Sequence, residues 1–301
     1  MEITGIHKSI DGVCTKYTQR TSGNEQIETT YVDYRNKYII CLSSQVGCNM
    51  RCQFCYNGLH CTKKYVRSLT AVEIVQQAEN VIAKEKGNMA DKPILFNFMG
   101  IGEPMLNIAN VAEAMKYLKD MYPTCRFALA TSVPDIDHRP RLIKLTKPFG
   151  KDFKLTISLH SAIPETRSLL LGRSFTKDDF KNLVWFAKSY SIEDNMHREV
   201  EWNYVLFDGI NDDERHALEL HKLLHETYET YSEDKYKPYN NHIRINKFNP
   251  VEGCSLIPSS PERAKKFIDM LKELHFQVEQ YETNGSDIGA ACGQLIAKYD
   301  A

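Results

Sequence analysis

Long hydrophobic runs are missing from this 301-residue chain. No apolar stretch approaches the roughly 18–20 residues that a membrane-spanning helix needs, so the chain is expected to have no membrane span. The opening Met1-Glu-Ile-Thr-Gly-Ile-His-Lys8 lacks the basic-then-apolar order of a signal peptide. The expected compartment is therefore the cytoplasm, where thiols stay reduced. No sign of charge dominates either: 38 Lys and Arg stand against 39 Asp and Glu, a net charge of −1. That excludes a globally basic nucleic-acid footprint. Local basic stretches remain at Lys63-Lys64-Tyr65-Val66-Arg67 and at Arg139-Pro140-Arg141 with Lys144 and Lys147, and each reads first as a solvated face. No repeat of fixed period is present. Apolar residues at 42% and charged residues at 26% are ordinary for a globular protein with a full core.

Against this plain background one stretch stands out, Cys41-Leu-Ser-Ser-Gln-Val-Gly-Cys48-Asn-Met-Arg-Cys52-Gln-Phe-Cys55-Tyr-Asn-Gly58. Cys48, Cys52 and Cys55 follow a C-x3-C-x2-C spacing. Three thiolates so spaced can turn toward one point and hold three irons of a cubane cluster, leaving the fourth iron open to a small molecule. Phe54 would help shield such a cluster from water. The same residues also allow a structural zinc knuckle completed by Cys61, or three unrelated buried cysteines.

With its aromatic residue before the last cysteine, the stretch resembles the cluster motif of the radical S-adenosylmethionine (SAM) superfamily. The resemblance implies a 4Fe–4S cluster on Cys48, Cys52 and Cys55 whose open iron chelates the amino and carboxylate groups of SAM.

Residues 1–35 alternate apolar and polar positions and are expected to form a small β extension. Strand-like runs then occur at 38–43, 94–99, 126–131, 154–159, 200–207, 243–248 and 276–281, separated by helix-period segments near 70–86, 108–121, 139–147, 176–190, 212–230 and 261–274. Thr70-x-x-Glu73 reads as a capping box, and Ser260-Pro261-Glu262 as a helix start. The polar segment 229–242 is expected to be a surface loop. Alternation of strands and helices implies an α/β fold with a parallel sheet, open or closed into a barrel. The expected organisation is the extension over 1–35 and one core domain over 36–301.

In parallel α/β folds, ligands are met where strands end. Here the strand ends carry Met99-Gly100-Ile-Gly102-Glu103-Pro104, Thr131-Ser132, Ser158-Leu-His160-Ser161 and Asn249-Pro250-Val-Glu-Gly253. Alone, a Gly-x-Gly-Glu-Pro run is an ordinary turn and Ser-x-His an ordinary cap. Together they gather groups suited to a polar cofactor. Gly100 and Gly102 let backbone approach closely, Glu103 suits the amino group of SAM, and Ser132, Ser158 and Asn249 suit ribose and carboxylate.

The order C-x-S-S-Q-V-G-C-x3-C-x2-C, M-G-x-G-E-P-x-x-N, S-L-H, N-P-x-x-G and A-C-G-Q-L resembles the RlmN/Cfr family, radical SAM methyl synthases that methylate adenine in RNA. The likeness spans roughly residues 28–296. It implies a partial (β/α)6-type TIM barrel with the short N-terminal extension, and a SAM site including Gly100, Gly102, Glu103, Pro104, Ser132, Ser158, His160 and Asn249. It further implies a catalytic pair, Cys41 and Cys292, with Glu28 at an acidic position that contacts the base.

By the same resemblance, Cys292 takes a methyl group from one SAM. A second SAM yields a 5′-deoxyadenosyl radical that removes hydrogen from the S-methyl group. The carbon radical adds to C2 or C8 of adenine. Cys41 then helps remove the ring proton, as a Cys41–Cys292 disulfide releases the product. A flavodoxin- or ferredoxin-type reductant, a ribosomal or transfer RNA substrate and a monomeric state complete the expectation.

Three departures accompany it. About 40 residues precede Cys41, so the family's usual N-terminal RNA-engaging domain is expected to be missing. Ala130-Thr-Ser-Val133 replaces the usual Ser-Thr-Ser-Gly, and Tyr56-Asn57 replaces Ser-Thr after the last cluster cysteine. Competing expectations are the same chemistry on a small molecule or nucleotide, and a zinc-stapled RNA-interaction module without catalysis. His216, His221 and His225 lie on one expected helix without an obvious further ligand. Cys14, Cys61, Cys125 and Cys254 are expected to be structural.

Overall fold

A computed structural model describes residues 1–60, 65–87, 89, 92–134, 137–192, 198–226 and 241–296. Its contacts divide into two compact units, Met1–Arg51 with Cys55–Phe153 and the residues from Thr283, and Cys52–Phe54 with Lys154–Glu282.

In the first unit the alternating N-terminal segments become β1 (Glu2–Lys8), β2 (Cys14–Arg20), β3 (Gln26–Tyr34) and β4 (Lys37–Cys41), an antiparallel run. The short β5 (Gln45–Val46) and β6 (Arg67–Ser68) pair separately. From β4 onward the pairing turns parallel, β4 to β7 (Ile94–Phe98) and β7 to β8 (Arg126–Thr131). The helices are α1 (Tyr56–His60), α2 (Ala71–Glu85), α3 (Ile108–Met121) and α4 (His138–Thr146).

The start of α2 follows from its sequence. The Thr70 hydroxyl accepts from Glu73 N, and the Glu73 carboxylate accepts from Thr70 N at 2.9 Å. Beyond the cap, Ile74, Val75, Ala78 and Val81 recur at helical spacing and are buried, each large side chain contributing about 1.5–3 kcal/mol by leaving water.

The second unit carries β9 (Phe153–Ser158), β10 (Val200–Leu206), β11 (His242–Lys247) and β12 (Gln277–Tyr281), paired in parallel in that order. Its helices are α5 (Pro164–Leu171), α6 (Lys177–Ile192), α7 (Glu214–His221) and α8 (Pro261–Glu273). All residues of β10 except Val205 are buried, as expected for a parallel strand covered on both faces. Ser260 caps α8 by accepting from Arg263 N, with Pro261 in the first turn. Most of the segment expected as a surface loop, 229–242, lies outside the described residues.

Glu201 on β10 is fully buried between cations. Lys154 Nζ lies 2.7 Å from its carboxylate and Arg244 Nη1 3.2 Å, and the Thr156 hydroxyl adds a hydrogen bond at 3.0 Å. Burial alone would raise this carboxyl, but Arg244 and then Lys154 more than offset it and hold the pKa at about 2. His242 and Glu279 join Glu201 in a group whose possible ligand atoms all lie within 4.8 Å of one another. Lys154 and Arg244 already supply the positive charge there, so the group reads as an ion network.

Because the folded-state value is depressed, this stabilisation is present above the ordinary carboxylate range and is lost as pH falls toward 2. Glu201→Gln should cost about 3 kcal/mol in urea unfolding at pH 7. It should also flatten the loss of stability expected of the wild type as pH falls from 4.5 to about 2.

Candidate active site

The strand ends of the first unit gather several of the expected residues. Cys41 closes β4, paired with Thr30 on β3 and Asn97 on β7. It is half-buried and carries no disulfide. Burial lifts its thiol well above the ordinary value, and the charge of nearby Cys292 lifts it further, against weaker pulls from Met99 and Thr30. Cys292 is exposed on the loop that follows β12. One unit thus brings both expected catalytic thiols into each other's field, one shielded and held as a thiol, the other open to a reactant.

Past Cys41 the Ser-Ser-Gln run forms a scaffold. Ser43 Oγ donates to Glu28 O at 2.7 Å and accepts from Ile101 N at 2.9 Å, while Gln77 holds the Ser43 backbone from both sides. The Gln45 side-chain oxygen Oε1 accepts from Glu103 N at 2.9 Å. Gly102 has φ +107°, and a Cβ there would lie 2.7 Å from Gln45 Cβ. Neighbouring Gly100 meets the Leu42 backbone as closely. These glycines let the motif dock against the scaffold. Asn107, at the end of the same motif, ties it down by donating to Ser44 O and Leu69 O, both at 2.8 Å.

Glu103 is buried just before a 3-10 turn that Pro104 opens. Its carboxylate accepts from Met105 N at 3.0 Å and from Ser132 N and Oγ at 3.0 and 3.1 Å. Desolvation wins over these bonds and raises its pKa. No Lys, Arg or His among the described residues pairs with it. Gln45 Nε2, on the amide whose oxygen accepts from Glu103 N, and Asn97 Oδ1, on the strand that leads to the motif, are buried without a partner. Buried polar atoms in native proteins are ordinarily satisfied, so a carboxylate lacking a cation and two orphaned amide atoms fit a bound polar, cationic ligand.

Glu28 is buried at 7% exposure. Its carboxylate pairs with Lys16 Nζ at 3.1 Å and accepts from Ile296 N at 2.8 Å. Lys16, which sequence reasoning did not single out, also reaches Gly289 O at 3.4 Å. Its only signal was a lysine in an otherwise buried strand pattern.

In the second unit Ser158 ends β9, and its carbonyl accepts from Arg167 Nη1 at 2.7 Å. His160 takes φ +60° and is 2% exposed. Burial, then the Arg167 charge, lowers its pKa to about 3, so the ring is neutral. Its Nδ1 accepts from Val205 N at 3.2 Å, and Phe54 packs edge-on at 4.9 Å. Phe54 further joins Leu170, Phe207 and Phe248 in an apolar cluster, and Gln53 N donates to Leu170 O at 2.9 Å. Asn249, half-buried, lies two residues past β11. Asn203, the register partner of Ser158, accepts a hydrogen bond from Asn246. His221 and His225 meet edge-on at 4.6 Å, and Phe276 stacks on His225, a packed aromatic group.

Cys48 and Cys55 belong to the first unit and Cys52 to the second. Each is half-buried and free of disulfides. Met50 N approaches Cys48 Sγ at 3.4 Å, a donor suited to a thiolate. Thiols that are half-buried and carry no disulfide are the donor type that iron–sulfur ligation takes. Cys61 lies outside the described residues.

Comparison with known proteins agrees with this chemistry. Residues 42–221 match the Radical SAM superfamily. The chain is 33% identical to a dual-specificity RNA methyltransferase RlmN of Lawsonia intracellularis, over 99% of this chain and 79% of that protein. It is 32% identical to an RlmN of Cereibacter sphaeroides over 98% of this chain and 72% of that one. A crystal structure of a radical SAM methyltransferase from Sphaerobacter thermophilus superposes with a TM-score of 0.82 at 27% identity, covering 97% of this chain and 80% of that one. The fold is the radical SAM α/β fold, and the protein is a radical SAM enzyme by class. Within that class the chain belongs to the RlmN/Cfr family.

One departure from the family is visible as strain. Val133, buried beside Ser132, holds φ +54°, where the family usually has glycine. A β-branched residue in the left-handed region costs about 1–3 kcal/mol. Val133→Gly relieves that strain but also removes a buried side chain worth about 1.5–3 kcal/mol and adds flexibility to the unfolded chain, so the net loss of unfolding stability should be no more than about 1–2 kcal/mol. Chemical denaturation measures it, and a loss of about 3 kcal/mol or more would show that the valine is unstrained.

Proposed function

We propose that this protein methylates an sp2 carbon of adenine, C2 or C8, in RNA through a methylated Cys292. The carrying observation is that half-buried Cys41, at the end of β4, and exposed Cys292, on the loop from Thr283 onward, belong to a single unit. The RNA substrate class rests on the RlmN relatives.

Cys48, Cys52 and Cys55 would hold the 4Fe–4S cluster, and Glu103 would face the amino group of SAM. Once bound, cluster and SAM supply the methyl group and a hydrogen-abstracting radical. The remaining work belongs to the chain. Cys292, open to solvent, attacks as the nucleophile that takes up the methyl group. Glu103 orients SAM by charge. Its raised pKa is explained by burial without a cation, and an ammonium group would restore the ionised form. Cys41 would act late and as its thiolate: its sulfur attacks the Cys292 sulfur, the S–S bond forms as the Cys292 sulfur–carbon bond breaks, and the bonding pair leaves with the transferred carbon, which takes a proton to become the methyl group. Ser132, fixed on Glu103, would supply a polar contact to SAM. A flavodoxin- or ferredoxin-type reductant delivers the electrons.

Cluster-reconstituted protein incubated with methyl-labelled SAM and unmodified RNA should yield labelled 2-methyl- or 8-methyladenosine on nucleoside mass analysis. Cys292→Ala should abolish it. Cys41→Ala should leave RNA covalently attached to Cys292, because nothing resolves the adduct. Labelled product from Cys292→Ala would sink the reading. Glu103→Gln keeps the side chain's shape and one accepting oxygen but loses the charge and the second acceptor, and SAM binding should weaken about tenfold or more in a direct binding titration. Unchanged affinity would remove Glu103 from the SAM site.

A further inference from the structure

Cys292 sits on a loop, Gly285–Ile296, that is tethered from two directions within the first unit. On one side lie the N-terminal strands. Ile10 N donates to Asp287 Oδ2 at 2.9 Å, Lys16 reaches Gly289 O at 3.4 Å, and Ile296 N donates to Glu28 at 2.8 Å. Gly285, at φ +71°, presses so close to Cys14 that a Cβ would lie 2.6 Å from its sulfur. On the other side lies α1. Tyr56 N donates to Gly293 O at 2.8 Å, and Asn57 Nδ2 donates to Leu295 O at 2.7 Å.

The two α1 bonds bracket the residues directly after Cys292, and they differ in kind. The Tyr56 bond uses backbone, which any residue there supplies. The Asn57 bond depends on one side chain, 5% exposed, satisfying a carbonyl of a leucine that is itself 5% exposed. Removing that donor leaves a buried carbonyl without a partner.

Position also matters. The helix α1 begins at the residue after Cys55, and its first turn hangs on that cysteine, whose carbonyl accepts from Gly58 N and Leu59 N, both at 3.0 Å. Five residues are far too few for a helix to persist in water alone. Whatever fixes Cys55 therefore fixes α1, and α1 holds the Cys292 loop. Asn57 stands where family members usually carry threonine, so the amide is this chain's own means of spanning the gap.

We propose that Asn57 is the positioning residue that couples cluster ligation at Cys55 to docking of the Cys292 loop. For its catalytic meaning this rests on the methyl-synthase reading, but the coupling is measurable without turnover. Hydrogen exchange of the full-length protein, followed by mass spectrometry, is compared with the cluster reconstituted and after its removal by chelator.

In the wild type, stripping the cluster should speed exchange of the 285–296 amides about three- to tenfold. Asn57→Leu, of similar volume but without a donor, should show the faster exchange with the cluster bound and little further change on stripping. Asn57→Thr, which restores a donor, should recover part of the protection. Amides of β2, β3 and α3 should be unaffected, which certifies the fold. If Asn57→Leu does not fold, Asn57→Asp, the same shape with acceptor in place of donor, carries the comparison. Loop protection in either folded variant equal to wild type overturns the proposal, as does a wild-type loop indifferent to the cluster. Absence of methyl-Cys292 in the wild type would instead count against the methyl-synthase reading and leave the exchange result standing.

Discussion

The carboxylate of Glu28 joins the two ends of the chain. One oxygen faces Lys16 on the neighbouring strand and the other accepts from Ile296 N, 268 positions away in sequence. A thiol on a glycine-rich loop has no fixed position of its own, because glycine gives the backbone its widest freedom. Fixing Cys292 near Cys41 therefore requires bonds from elements that are themselves rigid. The antiparallel N-terminal strands supply one set and the helix after the cluster cysteines supplies the other. The N-terminal strands thus help to hold the loop that carries Cys292.

Two buried carboxylates show how the same residue type serves different ends. Glu201 is buried between Lys154 and Arg244, and its pKa falls to about 2 because their charge outweighs desolvation. Glu103 is buried against hydroxyl and amide donors only, and desolvation raises its pKa. The first arrangement is complete within the protein and stabilises it. The second lacks a cation that a ligand can bring. Strain follows a similar division: Val133, at φ +54°, lies next to Ser132 and one short turn from the Glu103 contacts, where backbone outliers tend to collect.

Much of the fold was legible in the sequence. The strands at 126–131 and the helix at 108–121 appear with the expected bounds, because their periodicity and flanking turns agree. Helices α1 and α5 were missed, each being short and lacking a full apolar repeat. The candidate site was legible as residue types at strand ends but not as contacts. Glu28 was expected to meet the base, yet its side chain is engaged by Lys16 and Ile296, a pairing across the length of the chain that no local pattern encodes. Ser43, Gln45 and Asn107 were legible only as letters of the family motifs, and Gln77 not at all, for a related reason. They are buried amides and hydroxyls that brace one loop on another, and nothing in their local sequence distinguishes bracing from solvation. Asn57 was visible as a departure from the family, but its partner Leu295 was not.

The central claim is that Cys292 carries the methyl group. Its most direct test is peptide mass analysis after cluster-reconstituted, reduced protein has been incubated with methyl-labelled SAM in the absence of RNA. The account predicts one labelled methyl group on the Cys292 peptide and none in Cys292→Ala. Formation of 5′-deoxyadenosine with no methylated cysteine would contradict it, and would mark a radical SAM enzyme of another reaction type.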